Sequence, residues 1–319
     1  INKPMQNENI FDLIIVGGGP AGASAAIYAA RKRMRAILIL KEWGGQSVVS
    51  SDIQNWIGTP HISGADLAKN LESHVKEYAG EFLQIKIGSF VTHSEIENSE
   101  NGNLVKISLE SGENIFGKSL LITTGSNRKK IDIKGADEFE HKGLTYCATC
   151  DGPLFSDMDV VVIGGGNAGF ESASQLLAYC KSVTLISRNE PRAEKITVEK
   201  LKQDPKFNLI IGATPKEIHG DVFVNGITYG DKDGNETKLD VSAVFVEIGQ
   251  TPATEWVKSV VELDEIGKIK IDPWTNRAST ENLIWAAGDC TNILYHQNNI
   301  AAGEAVKAIE DIYKTLKTK

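Results

Sequence analysis

Apolar residues in this chain fall into short unbroken runs that stop at glycines, the pattern of strands buried on both faces in a parallel sheet. The first run, Phe11-Asp12-Leu13-Ile14-Ile15-Val16, leads straight into Gly17. An Ala-rich stretch over 21–31 favours helix, and Ala36-Ile37-Leu38-Ile39-Leu40 returns to strand. Together they predict a β-α-β unit with its glycines at the first turn. The grammar recurs half a chain later, with strand over 159–163, helix over 168–178 and strand over 182–186. One supersecondary unit is therefore expected twice.

Elsewhere the runs shorten and polar turns intervene. Val105-Lys106-Ile107-Ser108-Leu109, with turns at Asn101-Gly102 and Ser111-Gly112, predicts hairpins. Val222-Phe223-Val224 and Ile227-Thr228-Tyr229, followed by Asp233-Gly234-Asn235, predict another set inside the second unit. Residues 244–249 predict a closing strand, 269–272 and 283–287 further strands, and 301–314 a final helix. No low-complexity linker separates the two units, so they are expected to be closely connected.

Each unit carries a glycine fingerprint at its strand-to-helix turn. The first is Gly17-Gly18-Gly19-Pro20-Ala21-Gly22 and the second Gly164-Gly165-Gly166-Asn167-Ala168-Gly169. In such a turn the first glycine (Gly17, Gly164) permits the tight bend. The second (Gly19, Gly166) lets backbone approach a pyrophosphate, and the third (Gly22, Gly169) lets helix and strand pack closely. The helix N-terminus supplies free N–H groups to the phosphates. After the second strand of the second unit stands Ser187-Arg188-Asn189-Glu190-Pro191-Arg192. An acidic residue there binds the ribose hydroxyl of NAD, whereas arginine accommodates the 2′-phosphate of NADP. Arg188 and Arg192 favour NADPH, with NADH as the alternative.

Composition narrows the setting. A chain of 319 residues is comfortable for two domains, and 41% apolar with 24% charged residues is ordinary for a globular protein. A net charge of −8 argues against a nucleic-acid surface. The densest basic run, Arg31-Lys32-Arg33-Met34-Arg35, suits a helix C-terminus. No apolar run reaches the ~18 residues of a membrane span. The start lacks the pattern of a signal peptide. Four scattered cysteines do not make a secreted disulfide framework, so a cytoplasmic protein is expected.

Two of those cysteines form Cys147-Ala148-Thr149-Cys150, between the fingerprints. This spacing suits a small reversible disulfide ring. Zinc is disfavoured, because a structural site needs four ligands and no second Cys/His pair has the spacing. Cys180 and Cys290 are expected to be buried spectators. Two nucleotide sites and one vicinal dithiol suggest an electron path from a nicotinamide through a flavin to a disulfide.

Across nearly its whole length the chain resembles the low-molecular-weight thioredoxin reductases, and the reductase core of the alkyl hydroperoxide reductase flavoprotein. The resemblance rests on both fingerprints, Gly44-Gly45-Gln46, Ile53-Gln54-Asn55-Trp56, Thr123-Thr124-Gly125, Cys147-Ala148-Thr149-Cys150-Asp151 and Ala286-Ala287-Gly288-Asp289-Cys290. Tyr295-His296-Gln297 is similar to the family's Tyr-Arg-Gln, with His in place of Arg. It implies an α/β fold of two Rossmann-like domains, the second inserted in the first. The FAD-binding domain would span 1–126 and 251–319, and the NAD(P)-binding domain carrying the dithiol 127–250.

By the same resemblance Gly45, Gln46, Asn55, Thr124 and Gly125 contact FAD, Asp289 after Gly288 holds the ribityl chain, and Gln297 lies beside the isoalloxazine, with His296 a flavin-edge or partner-facing residue. The family's acidic ribose ligand is represented only by Lys41 or the shifted Glu42. Ile248 and Gly249 are further cofactor-binding candidates, and Ser187 stands where the family's NADPH users carry His. Cys150 would take electrons first, Cys147 would exchange with the partner, and Asp151 would be the general acid. The implied reaction is reduction of thioredoxin by a homodimer, with the second domain rotating about the crossings near 125–130 and 249–253. Rivals are an NADH- or ferredoxin-dependent reductase of another thioredoxin-fold or peroxiredoxin-linked carrier, and a nucleotide-binding sensor without turnover. With about ten residues ahead of the first strand, a full-length peroxide-reductase flavoprotein is disfavoured.

Overall fold

The computed structural model describes residues 10–50, 52–98, 102–278 and 283–317. They form two compact units, one up to Asn127 and from Thr251 onward, the other Arg128–Gln250. The chain crosses between them at the short strands Ser126–Arg128 and Gln250–Pro252.

In the first unit, five parallel strands lie in the order Ile284–Ala286, Leu120–Ile122, Leu13–Val16, Ala36–Leu40 and Leu83–Ile87. Register is set in the middle by Leu13 opposite Ala36 and Ile14 opposite Leu120. Alternate residues serve two layers. Leu13, Ile15, Leu38, Leu40 and Trp285 pack on the helices Pro20–Arg31 and Asn298–Lys317. Ile14, Val16, Ile37, Ile39 and Ile122 face the other way, toward Val105, Ile107 and Ile115 of the small sheet. Burial on both faces explains the unbroken apolar runs, and each such side chain contributes about 1.5–3 kcal/mol.

The second unit repeats the plan. Its parallel order is Leu144–Thr145, Ala243–Val246, Asp159–Ile163, Ser182–Ser187 and Phe207–Ile211. Val160, Val162, Leu185 and Phe245 pack on the helix Asn167–Leu176, where Phe170 and Leu176 meet them. Val161, Ile163, Ile186 and Val244 meet Ile218, Val224 and Ile227 of an antiparallel three-stranded sheet. This is the mixed α/β architecture of two Rossmann-like units.

Four expectations differ. Val222 and Phe223 are not strand but turn, 69% and 64% exposed, and the strand begins only at Val224. Gly220 pairs with Val224, so the residues between must reverse the chain. Residues 269–272 form isolated bridges rather than a strand: Ile269 meets Leu263 and Thr291 singly, and Pro273 follows, unable to donate to a ladder. The closing strand stops at Val246, leaving Glu247, Ile248 and Gly249 as loop. The last helix runs Asn298–Lys317, longer than expected at both ends. The turn residue Asn101 lies outside the described residues. No described helix is long and apolar enough to cross a membrane.

Candidate functional site

The two glycine turns are built alike. A Cβ on Gly17, whose φ is +128°, would lie 2.2 Å from the Thr123 carbonyl oxygen; on Gly164, φ +140°, it would lie 2.2 Å from that of Glu247. A Cβ on Gly22 or Gly169 would strike the oxygen of the unit's first glycine at 1.8 Å and 2.0 Å. The middle glycines differ. Beside Gly19 the nearest atom would be the Cα of Gly45 at 3.9 Å, and beside Gly166 nothing lies within 4 Å. The helices Pro20–Arg31 and Asn167–Leu176 begin at these open glycines without a side-chain cap. Their first N–H groups are unspent on capping, next to space that only glycine keeps clear. That cradle fits a dinucleotide pyrophosphate in both units.

In the first unit further candidates gather around this turn. Gly44 donates its N–H to the Gly18 carbonyl at 2.9 Å, which sets Gly45 opposite Gly19. Glu42 is exposed, and its carbonyl oxygen would lie 2.2 Å from a Cβ on Gly18. Gln46 donates to the Ser126 carbonyl oxygen. The Asn55 amide donates to Gln297 Oε1 at 3.1 Å, and Asn299 donates to the Asn55 carbonyl at 2.7 Å, tying this loop to the last helix. Gly125, at φ +66°, leaves open space, whereas the Thr124 hydroxyl is spent on the Ala253 carbonyl at 2.8 Å. Gly288 brings the Asp289 turn near Ala21, 3.6 Å from where its Cβ would be.

Glu304 was not among the sequence candidates, yet it holds that turn: its carboxylate accepts the Gly288 N–H at 2.8 Å. Burial pushes its carboxyl up from the ordinary value. A glutamate in the apolar stripe Ala301, Ala305, Ala308, Ile309 was the available signal. Lys268 also escaped notice; its Nζ lies 2.6 Å from His296 Nε2.

In the second unit the loop after the second strand folds back on the glycine turn. Arg192 donates its backbone N–H to the Gly165 carbonyl at 2.8 Å, and Glu194 donates to the Asn167 side chain at 3.0 Å. Ser187 is 3% exposed and donates to the Asn189 carbonyl at 2.6 Å, so it shapes the loop. Arg188 and Arg192 are exposed, as are Ala168, Ile248 and Gly249.

The dithiol lies in the same unit as a Cys147–Cys150 disulfide with Cα atoms 5.3 Å apart. Cys147 precedes a single helical turn, and its Sγ accepts the Cys150 N–H at 3.2 Å. Ala148 is buried with Phe170, Ala173 and Leu176, and Thr149 donates to Gln175 at 3.0 Å, so the pair is seated on the Asn167–Leu176 helix. Asp151 accepts from the Thr145 hydroxyl, which also receives the Cys147 N–H at 3.3 Å. Burial raises the Asp151 carboxyl above the ordinary value, against the Thr145 bond and the charges of Arg128 and His141. A raised carboxyl bonded beside a dithiol is equipped to deliver a proton. Cys180 and Cys290 are buried, their thiols pushed up to about 11 and about 12 by burial.

Residues 11–309 match the model of the pyridine nucleotide-disulphide oxidoreductases. The chain is 38% identical over 300 residues to the "NADH dehydrogenase" of Bacillus subtilis strain 168, covering 93% of this chain and 57% of that one. It is 36% identical over 309 residues to a component of the alkyl hydroperoxide reductase of Escherichia coli K12, covering 96% and 58%. The chain thus spans little more than half the length of these curated relatives. Among solved structures it is similar to the thioredoxin reductase of Streptococcus pyogenes MGAS5005, with a TM-score of 0.89 at 30% identity over 98% of this chain and 99% of that one. For the Giardia duodenalis thioredoxin reductase the TM-score is 0.90 at 28% identity, covering 97% and 99%. Two nucleotide cradles and a close cysteine pair on one chain thus find their place: it belongs to the pyridine nucleotide-disulphide oxidoreductase family, flavoproteins that use FAD and NAD(P)H.

Proposed function

We propose that this chain is a thioredoxin-disulfide reductase, taking electrons from NADPH and delivering them through Cys147 and Cys150 to a thioredoxin disulfide. The observation that carries it is the Cys147–Cys150 pair with a half-buried Asp151, its carboxyl raised, held through Thr145 beside it. The first unit's cradle, with Gly17, Gly19, Gly22, Gly45, Gln46, Asn55, Gly125, Asp289 and Gln297, would hold FAD. When bound, FAD supplies a two-electron carrier between nicotinamide and disulfide. The second cradle, at Gly164, Gly166 and Gly169, would hold the nicotinamide nucleotide, with Arg188 and Arg192 as donors to a 2′-phosphate.

The dithiol chemistry balances on the chain's own residues. Two electrons and two protons open the Cys147–Cys150 bond to two thiols. The Cys147 thiol gives up its proton and attacks the partner's disulfide, forming a mixed disulfide and releasing one partner thiolate, which Asp151 protonates; the proton from Cys147 restores Asp151. Cys150 then attacks Cys147 Sγ, restores the disulfide and frees the second partner thiol.

NADPH oxidation, followed anaerobically on adding thioredoxin from the same organism, tests this with NADH alongside. Rapid oxidation that Cys147→Ser abolishes is expected; a protein that passes nothing to thioredoxin would overturn it. A second reading, an NADH-linked reductase of a peroxiredoxin-type carrier, is favoured by the peroxide-reductase and NADH names of the curated relatives. It predicts turnover with NADH and such a carrier instead.

A further inference from the structure

In the first unit Lys268, His296 and Asp289 form a row of polar side chains, in which the activity proposed above gives Lys268 no role. Lys268 Nζ lies 2.6 Å from His296 Nε2, and on the far side of the ring His296 Nδ1 lies 3.5 Å from Asp289 Oδ1. Nδ1 is buried without a hydrogen-bond partner of good geometry. The Lys268 ammonium is half-buried, and burial draws its pKa down, against the charges of Asp289 and Asp264. Glu304 faces the same ring electrostatically from the last helix.

An ammonium can only donate, so Nε2 of a neutral imidazole must accept, and its single proton is then on Nδ1. We propose that Lys268 is a positioning residue that locks His296 as the Nδ1–H tautomer and aims that proton at Asp289 and at a ligand hydroxyl bound there. The ligand rests on the proposed placing of FAD at Asp289; the tautomer does not. The charge is on the lysine and the directed donor on the imidazole. An arginine at 296 beside Lys268 would place two cations in hydrogen-bond range of each other.

Histidine nitrogen-15 spectra of the FAD-loaded protein at neutral pH test the tautomer, His296 being identified by its loss in His296→Gln. An Nδ1-protonated ring is expected, with that fraction falling in Lys268→Met; an Nε2-protonated ring in the unmutated protein would overturn the proposal. Affinity for FAD supplies the second measurement. Lys268→Met and His296→Arg should each weaken it about tenfold, the loss of one charge-assisted hydrogen bond, whereas the double variant should recover most of it. Losses that simply add would sink the reciprocity. If the protein takes up no FAD, the function above fails, while the tautomer is still read on the apoprotein.

Discussion

Asp151 illustrates how a residue's role depends on more than its neighbours in the chain. Its nearness to the cysteines is plain in the chain, and Thr145 stands only two residues before Cys147. What raises its carboxyl is burial, a tertiary property. Because the folded value lies above the unfolded one, its contribution to stability is complete below the ordinary carboxyl range. That contribution is lost as pH rises through the raised value. Exchange with the partner disulfide should slow over that same rise, and Asp151→Asn should slow it about 10²-fold while sparing flavin reduction by nicotinamide. Stopped-flow with the pre-reduced protein separates the two; an unchanged exchange rate would remove Asp151 from the chemistry. Arg188→Ala with Arg192→Ala should raise KM for NADPH about tenfold or more and leave NADH within about twofold, by loss of charge-assisted phosphate bonds. Equal effects on both nucleotides would take the arginines off the 2′-phosphate. Arg128, whose charge reaches both Asp151 and Glu247, has no sequence signature: it is one basic residue among Arg128-Lys129-Lys130.

At the scale of elements, the glycine turns were the most legible part of the chain, because spacing alone distinguishes their three positions. The structure adds a mechanical difference among them. Gly17 and Gly164 combine left-handed backbone with a carbonyl 2.2 Å from any Cβ, whereas Gly19 and Gly166 have ordinary backbone and open space. Gly166→Ala should therefore leave thermal stability within about 1 kcal/mol of the parent yet weaken nicotinamide binding. Gly169→Ala, driven into a backbone oxygen, should cost about 1–3 kcal/mol. Calorimetric melting and nucleotide titration on both variants check this, and a Gly166→Ala protein with full affinity would remove the phosphates from that turn. The parallel strands were legible for a related reason: burial on both faces leaves an unbroken apolar run. Residues 222–224 misled because an apolar pair at a hairpin tip looks like strand until its pairing is known. The same locality hides Lys268 and Glu304, which lie 28 and 16 residues along the chain from their partners His296 and Gly288.

For the molecule as a whole, each unit owns two cores, one on either side of its parallel sheet. The segment 128–250 should accordingly fold by itself with a single cooperative transition and bind a nicotinamide nucleotide without flavin. Circular dichroism and calorimetric titration of that segment check it, and an unfolded product would make the second unit dependent on the first. That two units exist was legible from the repeated β-α-β pattern; where the chain returns to the first was marked only by the end of the apolar run at 244–249 and by the family resemblance. The buried spectator thiols carry a practical consequence. With Cys180 and Cys290 both sealed in cores and protonated at neutral pH, a thiol-alkylating label has only Cys147 and Cys150 within reach. The undenatured protein should gain no label mass when oxidised and two adducts when reduced. An alkylation quench followed by mass measurement would thus report, in a cell extract, what fraction of this chain was poised to give electrons.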